Sequence, residues 1–140
     1  MAKISFNKLG LTKSIEATSF IWNNQEVEVV QYLSLNDKLA LITKILNDSV
    51  DEYNYYNPCR LDVYMSIWMV EAYTNINFTD KQKEDISKLY DLMALTGFLD
   101  EVMTHIPEKE KEYIATTVRD TIQSIYAYKN SVMGIIETLK

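Results

Sequence analysis

The sequence predicts a mainly α-helical protein, in which an N-terminal β-hairpin packs on a bundle of about five helices and the last helix is long. Apolar residues recur with a period of two near the N-terminus and with the helical period of about 3.6 after it. The 140 residues include only three glycines and two prolines. A protein built of many strands would need more of these turn-forming residues. With 47% apolar residues the chain can fill a core without disulfides or metals, so we expect a single domain over residues 1–140.

The hairpin is predicted for residues of about 15–32. β-branched and aromatic residues alternate with others on both strands: Thr18, Phe20 and Trp22 on the first, Val27 and Val29 on the second. Asn23 and Asn24 tolerate positive φ and can form the tight two-residue turn between the strands. That turn places Phe20 opposite Val27 and Thr18 opposite Val29, so one face of the hairpin is apolar and is expected to be buried.

Five helices are predicted, with bounds of about 35–50, 58–73, 80–96, 98–105 and 108–139. Residues typical of helix ends stand at these bounds: Ser34, Asn57-Pro58, the capping-box pair Thr79 and Gln82, and Gly97. The helix Pro58–Tyr73 is apolar nearly all round, which predicts a central position. In the last helix, Asn130, Ser131 and Gly134 predict a break or bend.

Two helices carry apolar stripes at helical spacing. The stripe of the first helix comprises Leu35, Leu39, Ile42, Ile45, Leu46 and Val50, and that of the last comprises Val118, Ile122, Ile125, Val132, Ile136 and Leu139. Lys129 interrupts the last stripe and is expected to extend its ammonium group to solvent from the edge of the seam. The last stripe would look the same if it paired with a second copy, so a homo-oligomer remains an open alternative.

Charge and composition exclude several classes of protein. The net charge of −6 argues against nucleic-acid binding, which needs clustered Lys and Arg, although mimicry of DNA remains a minor alternative. No apolar run approaches the roughly 18 residues of a membrane span, and the N-terminus lacks the apolar run of a signal peptide. The lone Cys59 suits a reducing compartment, so we expect the cytoplasm.

The titratable residues form no recognisable catalytic pattern. His105 is the only histidine and lacks neighbouring ligands, and Cys59 lacks a base. The adjacent acids Asp51-Glu52 and Asp100-Glu101 point about 100° apart on a helix and do not converge. Glycine-rich phosphate-binding motifs and nucleophile elbows are missing from the sequence. We therefore expect a protein that is not an enzyme and uses no cofactor or metal.

The loop Asp51–Asn57 is the strongest candidate for a binding surface, because three of its residues are tyrosines. Tyrosine combines rigid contact area with a hydroxyl group and is enriched at binding hot spots. The candidate partner-binding residues are Tyr53, Tyr55, Tyr56 and, beside the hairpin turn, Trp22. Two alternatives stay open: the loop could fold back over the hairpin and bury its rings, and Trp22 could cap the core. The same question applies to Tyr126 and Tyr128.

Four segments resemble a family of small proteins encoded by tailed phages of Gram-positive, low-GC bacteria. These segments cover most of the chain: Ile4–Leu11, Gln25–Lys38, Tyr73–Tyr90 and Tyr126–Ile135. The layout of a hairpin followed by a helical body is also similar to that of phage tail-assembly chaperones, which bind tape-measure and tube proteins. The resemblance brings no catalytic residues with it.

The resemblance implies a phage morphogenesis or virion accessory protein that binds other proteins, such as a tail-assembly chaperone or a connector-type component. Its partners would be phage structural proteins, and it would work in the host cell cytoplasm, with incorporation into the virion left open. The alternative is a small phage-encoded inhibitor that blocks a host enzyme or defence complex. Neither function involves nucleic acid or a membrane as the partner.

Overall fold

The computed structural model describes residues 1–131, 136, 137 and 139. These residues form a two-stranded antiparallel sheet and six α-helices, which confirms the predicted fold class. The strands are β1 (Ala17–Trp22) and β2 (Gln25–Val30). The helices are α1 (Leu35–Ser49), α2 (Pro58–Tyr73), α3 (Asp80–Glu84), α4 (Ile86–Leu95), α5 (Phe98–His105) and α6 (Glu108–Lys129). A short 3-10 helix, Phe6–Leu9, precedes the sheet.

The hairpin has the predicted register, with Phe20 opposite Val27 and Thr18 opposite Val29. Asn23 and Asn24 have φ values of 48° and 62°, the left-handed region that a tight hairpin turn requires. Val27 and Val29 are buried and Phe20 is half-buried, so the apolar face packs on the helices as predicted.

Asn75, two residues after α2, closes the outer edge of β2. Its main-chain N–H donates to the Glu28 carbonyl at 3.3 Å, and the Glu28 N–H donates to its side-chain oxygen at 3.0 Å. The Asn75 amide nitrogen also donates to the Glu26 carbonyl at 3.2 Å. Val29 forms an isolated bridge with Thr74. The end of α2 therefore completes the hydrogen bonding of the second strand.

α1 begins as predicted, because the Ser34 hydroxyl accepts from the Asp37 N–H at 3.3 Å. The predicted apolar face of α1 is wrong at Leu35 and Leu39, which are 57% and 49% exposed. The buried residues of this helix are Lys38, Leu41, Ile42, Ile45 and Ser49. The helix is turned so that Lys38 faces inward, where it meets a buried carboxylate.

That carboxylate belongs to Glu110 in the first turn of α6. One of its oxygens pairs with the Lys38 ammonium at 3.1 Å, and the other accepts from the Leu33 N–H at 2.8 Å and the Tyr73 hydroxyl at 3.1 Å. Lys38 and Glu110 are 5% and 6% exposed, and Tyr73 is fully buried. This buried network joins the hairpin exit, α1, α2 and α6.

α2 and α5 have the predicted bounds, whereas the single helix predicted for residues 80–96 is two helices. α3 begins with the predicted capping box of Thr79 and Gln82, in which both reciprocal hydrogen bonds are present. Asp85 then leaves the helical conformation, with φ of −121° and ψ of 76°, and its carboxylate accepts from the Lys88 N–H at the start of α4. Because aspartate is a good N-cap, it starts a new helix here instead of continuing the old one. Gly97 follows α4 with φ of 79°, as its predicted capping role requires.

α6 ends at Lys129, so the helix predicted for 108–139 is interrupted there, and Ile136, Glu137 and Leu139 are again helical. Asn130 caps it and Ser131 lies in a bend, which confirms the break predicted there. Val118 is buried and Ile122 and Ile125 are half-buried, but Ile136 and Leu139 are exposed and do not continue the stripe. The parts of the prediction that concern Val132, Gly134 and the rest of 132–135, 138 and 140 lie outside the described residues.

Candidate protein-binding surface

The loop Asp51–Asn57 is held in one conformation by its own hydrogen bonds. A single carboxylate oxygen of Asp51 accepts from the N–H groups of Tyr53 and Tyr55, at 2.8 and 2.9 Å. The Asp51 N–H donates to the Tyr55 carbonyl at 2.8 Å. Asn54 at the tip has φ of 62°, which asparagine tolerates better than most residues. Asp51 therefore fixes the backbone from which the tyrosine rings project.

The last turns of α6 pack against this loop. The Tyr126 hydroxyl accepts from the Tyr56 N–H at 2.8 Å, and the Lys129 ammonium donates to the Asn54 carbonyl at 2.9 Å. The Tyr126 ring stacks on Tyr55 at 6.3 Å between centroids and meets Tyr56 edge-on at 6.1 Å. The loop thus packs on α6. The Lys129 ammonium, expected to extend to solvent, donates to the loop instead.

The three loop tyrosines have different surroundings. Tyr53 is 72% exposed and Tyr55 is 59% exposed, whereas Tyr56 is half-buried. The pKa of Tyr56 is raised above its ordinary value, first because its hydroxyl is desolvated and second because Tyr126 lies close to it. Two rings are therefore available for contact, and the third anchors the loop. Tyr128, on the same helix as Tyr126, is exposed.

A groove between α2 and α6 begins at Tyr56 and Tyr126. Its volume is about 450 Å³, within the range of protein sites that bind a side chain or a small ligand. Its lining is mostly apolar, with polar groups interspersed: Pro58, Leu61, Asp62, Met65, Ala115, Val118, Arg119, Ile122 and Gln123. Tyr55 stacks on Tyr126 at the end of the groove, and we call the exposed loop tyrosines and the groove together the tyrosine–groove surface. A partner could place an apolar side chain in the groove while it contacts the phenol rings.

Trp22 lies on a different part of the molecule. Its ring is half-buried and meets Phe98 of α5 edge-on at 5.0 Å. Next to it, Phe20 stacks on the imidazole of His105 at 4.8 Å. The structure therefore places Trp22 against the helical body, as in the alternative in which this residue caps the core. It does not bring Trp22 together with the tyrosine loop.

The N-terminal arm, Met1–Glu16, is an exposed segment that was not among the predicted binding surfaces. Every residue of the arm is exposed, including six large apolar ones: Met1, Ile4, Phe6, Leu9, Leu11 and Ile15. Several large apolar residues exposed in one segment are a feature of surfaces that contact another molecule. The signal in the sequence is the number of large apolar residues at irregular spacings, but sequence alone does not distinguish an uncovered arm from one packed on its own body.

The other residues considered for chemistry have ordinary structural partners. His105 pairs with Glu101 at 3.2 Å on the same helix. Cys59 is exposed, and its N–H donates to the Asn57 cap at 2.9 Å. Within residues 1–131, 136, 137 and 139, histidine, cysteine and acidic residues form no group of three or more that could hold a metal ion.

Comparison with known proteins adds no relative. The chain was compared with protein-family models, with curated proteins and with solved structures, and none of them matched. Among the helices of the described part of the chain, none combines the length and the hydrophobicity that crossing a membrane demands. The tyrosine–groove surface is the candidate binding surface that the geometry of the described residues offers.

Proposed function

We propose that this protein is a phage morphogenesis or virion accessory protein that acts by binding another protein through the tyrosine–groove surface. The proposal covers two kinds of phage protein, tail-assembly chaperones and connector-type components. The observation that carries the binding part of the proposal is the exposure of Tyr53 and Tyr55 on a loop whose Tyr56 lines an apolar groove. The phage setting rests on the resemblance of the four segments named above.

The loop is suited to binding because its conformation is already fixed. Asp51 holds the backbone on one side, and Tyr126 and Lys129 hold it on the other. A pre-ordered loop loses little conformational entropy when a partner binds, so more of the contact energy contributes to affinity. Tyrosine adds to this advantage, since its ring has only two side-chain torsions.

The action would be stoichiometric. A partner segment with one or two apolar side chains would enter the groove, where Leu61 and Met65 lie on one wall and Ile122 on the other. The hydroxyls of Tyr53 and Tyr55 would make polar contacts at the edge. Shielding an apolar segment of a tube or tape-measure protein before assembly is one task that such a surface can perform.

The test is affinity capture from infected cells with tagged wild-type protein and with the double variant Tyr53→Ser/Tyr55→Ser. Tyr56 is left unchanged because it anchors the loop on Tyr126. Hot-spot tyrosines contribute about 2 kcal/mol or more, so the double variant is expected to bind at least roughly thirtyfold more weakly. Its far-ultraviolet circular dichroism and melting temperature should stay close to those of the wild type, because both rings are exposed.

Tyr128→Ser is the matched control. Tyr128 is 56% exposed and lies two positions after Tyr126, about 200° around the helix, so it faces away from the loop. Its loss should leave capture unchanged. Recovery of virion proteins would support the assembly function, whereas recovery of a single host nuclease or polymerase would favour the inhibitor. Equal capture by the double variant and the wild type would exclude the tyrosine loop as the binding surface.

A further inference from the structure

The two edges of the small sheet differ in their hydrogen bonding. In a hairpin with a two-residue turn, the residues that flank the turn exchange hydrogen bonds, and so does every second pair after them. The N–H of Gln31 donates to the Glu16 carbonyl at 2.8 Å, which fixes this alternation. The main-chain groups of Ala17, Ser19 and Ile21 therefore point away from β2, toward the outer edge of β1.

The outer edge of β2 is closed by Asn75, as described above, but within residues 1–131, 136, 137 and 139 nothing closes the outer edge of β1. Among the residues that the structure describes, the main-chain groups of Ala17, Ser19 and Ile21 make no hydrogen bond outside the hairpin. All three residues are exposed, and Ile21 is 67% exposed. The strand thus presents a row of donors and acceptors together with an apolar side chain.

β1 also lacks the features by which edge strands avoid pairing. Edges are commonly protected by charged side chains, proline, bulges or very short strands. The strand Ala17–Trp22 has six residues, is paired without interruption and contains no charged residue, proline or glycine. Four of its six residues, Thr18, Phe20, Ile21 and Trp22, are of the β-branched and aromatic types that are enriched in strands. This edge is therefore competent to accept another strand.

We propose that the β1 edge pairs antiparallel with β1 of a second copy, so that two hairpins form one four-stranded sheet. The register is centred on Ser19, which lies opposite Ser19 of the second copy. Ile21 then lies opposite Ala17 of the second copy, a large side chain next to a small one. Because the strand is uncharged, self-pairing places no like charges opposite each other, and the two-fold symmetry closes the assembly.

Charge complementarity favours a second copy over an unrelated strand as the occupant. In this register Glu16 lies opposite Trp22 of the second copy, so each N-terminal arm continues past the other copy's hairpin. The arm carries Lys3, Lys8 and Lys13 against Glu16, a net charge of +2, which leaves −8 on the rest of a chain whose total is −6. The arm of one copy therefore carries the opposite net charge to the rest of the other copy, which favours their association. The proposal uses no residue of the tyrosine–groove surface and is independent of the proposed function.

The test is sedimentation equilibrium of the wild-type protein and of two variants with opposite charges at the two-fold axis. The wild type is expected to dimerise. In Ser19→Lys and in Ser19→Glu alone, two like charges meet across the axis, which should raise the dimer dissociation constant roughly fivefold. An equimolar mixture of the two variants should restore dimerisation, because the heterodimer pairs a lysine with a glutamate. The Ser19 side chain is exposed, so both variants should keep the wild-type circular dichroism spectrum.

Glu28→Lys is the control, since Glu28 lies opposite Ser19 on the strand whose edge is closed. In the four-stranded sheet its two copies are about three strand spacings apart, roughly 14 Å, which exceeds the Debye length of about 8 Å at physiological salt. Its dimerisation should therefore equal that of the wild type. A wild type that stays monomeric at all concentrations would overturn the proposal. So would a dimer that neither Ser19 variant weakens, or a mixture that restores nothing.

Discussion

The buried ion pair of Lys38 and Glu110 gives the sharpest test of how this fold is held together. Lys38→Met keeps the length of the side chain and removes the ammonium group, which leaves the Glu110 carboxylate charged inside the protein. Glu110 keeps its two other donors, the Leu33 N–H and the Tyr73 hydroxyl. Breaking a buried pair by removing one partner costs about 3–5 kcal/mol, a large part of a typical total stability of about 5–15 kcal/mol.

The double variant Lys38→Met/Glu110→Gln removes both charges but keeps a side-chain oxygen that accepts from Leu33 and Tyr73. Because replacing a whole buried pair is often nearly neutral, the double variant should be more stable than either single variant and within about 2 kcal/mol of the wild type. In the double-mutant cycle formed by these variants, the coupling energy between Lys38 and Glu110 should then be at least about 3 kcal/mol.

Urea unfolding followed by circular dichroism measures all four proteins of the cycle, and equal m-values ensure that the transitions are comparable. A cost below about 1 kcal/mol for Lys38→Met would refute the reasoning, since that is the typical value of an exposed pair. Strict additivity of the two substitutions would refute it as well, because it would mean that the two charges do not interact.

Three further predictions concern other parts of the molecule. Burial first, and then the nearby Glu110 carboxylate, raise the pKa of Tyr73. Because the unfolded protein then releases this proton more readily, the free energy of unfolding should fall above about pH 10, by up to about 1.4 kcal/mol per pH unit. Tyr73→Phe should flatten this alkaline part of a plot of urea midpoint against pH. Asn23→Ala should lower stability by about 1 kcal/mol, because φ of 48° is strained for alanine, and Asn23→Gly should not; equal midpoints for the two variants would contradict this. Asp51→Ala should make the tyrosine loop sensitive to limited proteolysis and weaken partner capture without a large change in melting temperature.

The sequence predicted the elements that depend on local chemistry. The hairpin register follows from two asparagines between alternating strands, and the bounds of α2 follow from the Asn57 cap with a proline behind it. The break after α6 was predicted from Asn130 and Ser131 for the same reason. In each case neighbouring residues decide the conformation, so no knowledge of distant contacts was needed.

The features that the sequence did not predict depend on distant residues. Lys38 is not part of the predicted apolar stripe of α1, but an ion pair with a carboxylate 72 positions further along the chain makes its burial favourable. Tyr56 was one of three equivalent candidates for binding until Tyr126 distinguished it as the anchored one. The exposure of the N-terminal arm likewise depends on what the rest of the chain does not cover. Such pairings leave no periodic signal in a single sequence.

The buried network also bears on how the protein folds. Glu110 accepts from the Leu33 N–H across 77 residues of sequence and from Tyr73 across 37. Contacts between residues so far apart in sequence have a high entropic cost of loop closure, so they tend to form after local structure. During synthesis, the hairpin exit, α1 and α2 all emerge before α6 and lack the carboxylate that joins them. The network should therefore slow unfolding more than it speeds folding. Its loss should raise the unfolding rate constant far more than it lowers the folding rate constant.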